Sequence, residues 1–307
     1  MTMDQVVVVA AIASGIRFAM PILFAALGET VSEKAGVLNV GIEGIMLIGA
    51  FLAVLISVQT GSPWVGLLAA IAGGIALGLL HGWMVVVLKV DQIVSGIALV
   101  VLGAGLSGFG YRLALDGGAV RVPGFRQLDL GLLSHLPVVG PVLFSQHFLA
   151  YVGIALAFAL GFMLRRTGLG LTIRAVGETP EAAAAAGIEI DRVRLCCAAF
   201  GGSLAGIGGA FLSTAQLAGF VENMVSGRGF IALACVVFSR WRPVGALFAA
   251  LAFGIADAAQ VRMQALYPDI PYQAFIILPF VIALLAMTMP GGAARGPAQL
   301  GRPFRRG

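Results

Sequence analysis

Charge is scarce in this sequence. Only 11% of its 307 residues are Asp, Glu, Lys or Arg, while 60% are hydrophobic. Soluble domains carry about 25% charged residues, so the polar surface here is too small to cover a water-soluble globule. Cysteine is scarce as well. Cys196, Cys197 and Cys235 all lie in apolar segments, without metal-ligand spacing, and read as small packing residues. Neither of the two lysines, Lys34 and Lys89, follows a glycine, which excludes a P-loop. The three histidines, His81, His135 and His147, form no HExxH zinc pattern. No cofactor is expected. Met1–Gln5 lacks Lys and Arg, so the first apolar run reads as an uncleaved span rather than a secretory signal.

Long apolar runs are what the chain does have. Runs such as 65–80 and 151–164 do not alternate in polarity, which argues against a barrel and for membrane-spanning helices. The expected fold class is all-α: a polytopic transmembrane helix bundle of about nine spans, with eight to ten allowed. The segments are roughly 5–28, 38–58, 64–88, 92–114, 148–164, 193–218, 226–239, 243–260 and 271–289. The seventh falls short of the ~20 residues a span needs, so it is tilted, re-entrant or half of a broken helix. The stretch 29–43 is irregular too, with Gly36, Asn39, Gly41 and Glu43 close together.

The net charge of +5 would suit a nucleic-acid partner, but the cations sit in short loops and the tail, and no basic patch carries interleaved aromatics. They set orientation instead. With the N-terminus outside and the C-terminus inside, 13 cations fall in inside loops and 5 (Arg112, Arg121, Arg126, Arg228, Arg262) in outside loops; Arg17 lies within the first segment. Residues 1–290 then form one transmembrane domain, with a cytoplasmic loop at 165–192 and a large outside loop at 115–147. Residues 291–307 form a basic cytoplasmic tail. The 43 glycines include Gly74, Gly78 and Gly82 on one helical face, and Gly202 and Gly206, with Gly209 one step off, on another. Such spacing lets helix backbones approach closely.

Chemistry-bearing groups within the apolar segments are few. Gly105-Leu106-Ser107-Gly108 has the form used by intramembrane serine proteases, yet none of the three histidines is placed to serve Ser107 as a base. A packing role accounts for it better. Ionisable residues inside a bilayer are costly and usually functional, which singles out Arg17, Glu43 and Asp257. Asn39 and Glu43 share one helix face if helical, as a substrate path or a pair fixing a helix break would require. Asp257 can alternatively pair with Arg262 near the outer mouth. Asn39, Glu43, Glu222 and Asp257 are the candidate pathway residues.

The inside loop carries the sharpest local pattern, Gly177-Glu178-Thr179-Pro180-Glu181-Ala182-Ala183, then three alanines and Gly187. Thr179 suits an N-cap, Pro180 and Glu181 a first turn, the alanines a helix, and Gly187 its stop. This short helix with small side chains fits a ridge that inserts into a partner's groove; a plain connecting turn is the alternative.

At this point the chain resembles a known family. Glu181-Ala182-Ala183 followed after three residues by Gly187 is similar to the first half of the EAA loop of ABC importer permeases. The downstream Ile-x-Leu-Pro is absent, and Cys197-Ala-Ala-Phe stands there instead. Arg174-Ala-Val-Gly-Glu-x-Pro-x-Ala-Ala, the stretch from Glu29 to Met46, Asp91-Gln-Ile-Val-Ser-Gly, and Gly227-Arg-Gly-Phe-Ile-Ala-Leu-Ala resemble the branch serving simple sugars and nucleosides. The resemblance covers roughly residues 5–290. It looks like the shorter of two permeases that work with a basic-membrane-protein-type lipoprotein.

That resemblance implies cytoplasmic ATPase subunits docking at Gly177, Glu178, Pro180, Glu181, Ala182, Ala183 and Gly187. It also implies a second permease subunit, a longer relative or this chain itself, and an extracytoplasmic substrate-binding lipoprotein. The implied setting is the bacterial inner membrane, and the implied cargo a purine-type nucleoside, with a simple sugar as runner-up. No enzymatic activity of its own and no nucleic-acid partner are expected. An autonomous secondary transporter would show more intramembrane carboxylates and inverted repeats.

Overall fold

A computed structural model describes residues 3–115, 122–128, 140–266, 277 and 296–304. Among them every regular element is a helix: α1 (Met3–Lys34), α2 (Ile42–Thr60), α3 (Pro63–Gly82, extended by a π turn at Trp83–Val87), α4 (Gln92–Leu115), α5 (Phe148–Arg166, preceded by a separate π turn at Gly140–Phe144), α6 (Gly168–Glu178), α7 (Pro180–Ala185), α8 (Ile190–Ala210, extended by a π turn at Phe211–Gln216), α9 (Arg228–Phe238) and α10 (Pro243–Leu266). Seven of these helices, within α1 to α5, α8 and α10, are long and apolar enough to cross a membrane. Large side chains such as Phe109, Leu113 and Phe248 stand exposed on their outer faces, as lipid contact requires. The ninth expected segment, 271–289, lies outside the described residues except for residue 277, so the described count is seven spans and one short apolar helix, α9.

Close backbone approach organises the bundle. α8 lies against α3, α1 and α2 at once. A Cβ on Gly74 would collide with the Gly202 carbonyl oxygen, and a Cβ on Gly202 with that of Gly74. Gly206 meets Ala70, Gly78 meets Ala198, Gly28 meets Gly201, and Gly209 meets Met46, each through a backbone carbonyl. Lipid tails are as apolar as leucine, so helices associate by this contact rather than by exclusion of water. Gly202→Leu is therefore expected to destabilise the bundle by about 1–3 kcal/mol or more through overpacking. Gly105→Leu, where nothing lies within 4 Å of the new Cβ, should leave the thermal unfolding midpoint unchanged.

Two interruptions set the site. After Lys34 the chain does not stay at the bundle end. Residues 35–41 fold back along α1, and α2 begins partway along α4 rather than at its end, because Gly44 abuts Leu99 and Gly103. Those positions lie 7 and 11 residues beyond Gln92, or roughly 10–16 Å along the helix. α9 is the second interruption. Its 11 residues span about 16 Å, half a bilayer. Its N-terminus meets α2 at Glu43, and its far end places Trp241 against Glu33 of α1. The short seventh segment is an 11-residue helix preceded by a non-helical turn.

The loop between α5 and α8 is more ordered than its sequence suggests. α6 precedes the short alanine helix and is not anticipated from a stretch with Gly168, Gly170 and Gly177. Thr167 caps it, its hydroxyl accepting from the Gly170 N–H at 3.2 Å. Gly177 permits close approach to α1, since a Cβ there would strike the Lys34 carbonyl. Residues 296–304 return to this junction. Gln299 N–H donates to the Gly177 carbonyl, Ala298 N–H to the Glu178 carboxylate, and Phe304 packs beside Val176, Ala183 and Ile190.

Candidate functional site

Irregular backbone at membrane depth survives only where protein satisfies it, and here side chains from α1, α3 and α4 supply many of the partners. The Ser32 hydroxyl donates to the Val37 carbonyl at 3.0 Å. Gln92 of α4 accepts from the Leu38 N–H at 2.7 Å and donates to the Gly36 carbonyl at 3.4 Å. His81 of α3 is buried, its Nε2 3.0 Å from the Leu38 carbonyl and its Nδ1 3.0 Å from the Ser95 hydroxyl. A carbonyl can only accept, so Nε2 carries a proton. The Asn39 N–H donates to Glu29 at 2.7 Å, and the Asn39 side-chain oxygen accepts from the Gly41 N–H at 2.9 Å.

Glu43 joins the two interruptions. One carboxylate oxygen accepts from the Gly227 N–H at 2.6 Å and the other from the Gly229 N–H at 2.8 Å. It thus caps the N-terminus of α9 from the first turn of α2, and the positive ends of both helix dipoles face it. Gly229 is needed there because a Cβ would crowd the Glu43 backbone. Gly227 has φ 84, a left-handed turn that side chains resist. Arg228, between them, pairs with Asp257 of α10 at 3.1 Å and donates to the Met224 and Val225 carbonyls.

The candidate pathway residues therefore divide. Asn39 and Glu43 come together at the break, and Asp257 reaches it through Arg228. Glu222 does not: it forms a two-pronged pair with Arg112, at 2.8 and 3.1 Å, near the opposite end of α4. Two expectations need correction. Asp257 pairs with Arg228 in place of Arg262, and Arg228 lies at the depth of Glu43 rather than in an outer loop, because the preceding turn descends into the bundle. Both oxygens of Glu43 and the side-chain oxygen of Asn39 are already committed to backbone groups in this conformation, so they act here as scaffold.

Several site residues are not evident from composition or spacing: Glu29, His81, Gln92, Ser95 and Trp241. Yet Glu29, Gln92, Ser95 and Gly227–Gly229 lie in three of the stretches that carry the resemblance, and those three meet here. Ser107 is buried with its hydroxyl on the Ala104 carbonyl, while both ring nitrogens of His81 are engaged elsewhere.

At the end of the bundle, α7 presents Glu181, Ala182 and Gly187 to the outside, together with Glu178 of α6. Gly177, Pro180 and Ala183 face inward. Gly187 has φ 82, and the bonds from Gly187 N–H to Ala184 and from Ile188 N–H to Ala183 close a Schellman motif. Thr179 occupies the expected cap position, but its side chain makes no capping bond; its carbonyl receives the Ala183 N–H.

Similarity to known proteins bears on this geometry. The family described as branched-chain amino acid transport system / permease component matches residues 11–287. The guanosine ABC transporter permease NupQ of Bacillus subtilis is 36% identical, over 94% of this chain and 94% of its own. A Haloferax volcanii protein, provisionally named a glucose ABC transporter permease, is 39% identical over 88% of this chain and 83% of its own. The nucleoside ABC transporter permease NupC of Lactococcus lactis is 31% identical over 93% of each chain. No solved structure matches. With seven apolar helices and a match along nearly its whole length, the chain belongs to this family of multi-pass membrane permeases of ABC transporters, which work with ATP-binding subunits and a substrate-binding protein.

Proposed function

We propose that this permease forms the translocation path of an ATP-driven nucleoside importer in a bacterial cytoplasmic membrane. The observation that carries the substrate class is the near end-to-end similarity to the guanosine permease NupQ, supported by NupC. Residues 1–290 are the transmembrane domain, with the N-terminus outside and the tail inside. Moving Arg228 to mid-depth strengthens the orientation, leaving 13 inside cations against 4 of the original 5 outside. A second permease subunit, a longer relative or this chain itself, completes the path, and a lipoprotein delivers substrate at the outer face. ATP hydrolysis belongs to a separate subunit that docks on the exposed side of α7, with Gly177, Pro180 and Ala183 seating that helix. The broken elements 35–43 and 225–229 line the path. Half-helix ends at a transporter's midplane mark where substrate passes during alternating access.

Uptake of labelled guanosine by cells with and without this subunit tests the proposal. Loss of guanosine uptake on deletion, competed by unlabelled nucleosides and not by glucose or leucine, is the expected result. Competition by glucose alone would favour the simple-sugar reading, which the 39% identical Haloferax volcanii relative supports. Competition by leucine alone would favour the substrate in the family's description.

A further inference from the structure

Four elements bring cations to one place at the end of the bundle where α7 lies. Lys34 ends α1, Arg165 and Arg166 end α5, Arg174 lies on α6, and Arg240 and Arg242 flank Trp241 between α9 and α10. They border two adjoining cavities of about 280 and 240 Å³ that share Gly161, Arg165, Arg242 and Pro243. Among the described residues no Asp or Glu lines either cavity. Glu178 acts on Lys34 from the end of α6, but among the described residues none of the six cations forms an ion pair.

The helix dipole favours Arg165 and Arg166 at a C-terminus, and orientation favours cations at this end. Neither accounts for the turn after α9. Arg240 and Trp241 have φ 53 and 55, two consecutive left-handed residues without a glycine. That conformation costs an L-residue free energy and persists where the surroundings enforce it. Here the Trp241 indole is anchored on Glu33, and the turn sets Arg240 and Arg242 at the cavity. One wall of the second cavity is apolar: Phe158 and Phe162 of α5 are 54% and 65% exposed, beside Val244.

We propose that this groove binds an anionic phospholipid, its phosphate held among Arg165, Arg242 and Lys34 and its acyl chain lying along Phe158 and Phe162. Guanidinium groups match phosphate oxygens in pairs, and basic pockets between membrane helices hold anionic headgroups. A free phosphate would use the cations but not the phenylalanine wall, which is why the lipid fits better. The site requires only that the chain sit in a bilayer and is independent of the substrate carried.

The test uses the assembled transporter, delipidated in detergent and titrated with phosphatidylglycerol or phosphatidylcholine. Thermal unfolding and lipid retention in native mass spectra are the readouts. Phosphatidylglycerol should bind at least about tenfold more tightly, given several cations at the headgroup. Arg165→Gln combined with Arg242→Gln should abolish that preference while leaving the ATPase subunits bound. Equal binding of the two lipids, or an unchanged preference in the double variant, overturns the proposal. So does an equal thermal shift from inorganic phosphate, which would mark a soluble-anion site. Loss of the ATPase subunits with lipid retention intact would assign the surface to the ATPase and also overturn it. If the double variant does not fold, photoreactive phosphatidylglycerol on the wild type decides: label within 158–166 supports the site, and label elsewhere refutes it.

Discussion

Guanosine uptake by a Glu43→Gln transporter is expected to fall about tenfold or more, the effect of roughly 1.4 kcal/mol withdrawn from a required conformation. The carboxylate offers one oxygen to Gly227 N–H and the other to Gly229 N–H. An amide keeps one acceptor and turns an N–H₂ toward a second donor. A buried donor without its acceptor costs about 1–3 kcal/mol. Glu43→Ala strips both donors and should be worse in thermal unfolding as well as in transport. Glu222→Gln is the contrast, because its partner Arg112 is exposed and such pairs contribute about 0–1 kcal/mol. Wild-type uptake by Glu43→Gln, with α9 unchanged in its hydrogen-exchange protection, would refute the role given to the cap.

Substitutions on α7 should instead separate transport from stability. Glu181 is exposed in the first turn of the helix, so Glu181→Lys gives up only about 0.3–1 kcal/mol of dipole interaction. If the ATPase docks here, the same change reverses the charge at the interface, and substrate-stimulated ATP hydrolysis should drop about 5- to 150-fold, the range of ordinary coupling energies. Gly187→Leu acts through the backbone: at φ 82 an L-residue costs about 1–2 kcal/mol, and the Schellman closure loosens. Both variants should remain in the membrane at normal abundance. Normal ATP-driven uptake by the two would show that the ATPase engages another surface.

The membrane-helix architecture was legible because a bilayer imposes long apolar runs, and the runs were plain. The α7 helix was legible because proline, alanine and glycine each act over a single turn. α6 was not, because its sequence is interrupted by glycines, and the purpose of two of them, Gly170 against α5 and Gly177 against α1, is tertiary. Glu43 stood out as an ionisable residue in an apolar segment, but its partners lie more than 180 residues away, beyond any local pattern. Arg228 was misplaced for the same reason. Charge counting assigns a cation to a loop, and only the fold could show that this loop descends to Asp257.

Composition and periodicity alone were enough for a multi-pass helical bundle with a short capped helix on one side, since burial in lipid and helix capping depend on neighbours a few residues apart. Both interruptions are visible in the sequence as an irregular stretch and a short span, but that they join, with Glu29, Gln92 and Gly227–Gly229 meeting there, was settled by tertiary contact. Hydrogen bonds to irregular backbone must come from whatever element is nearest in space, and nearness in space is not written in local spacing.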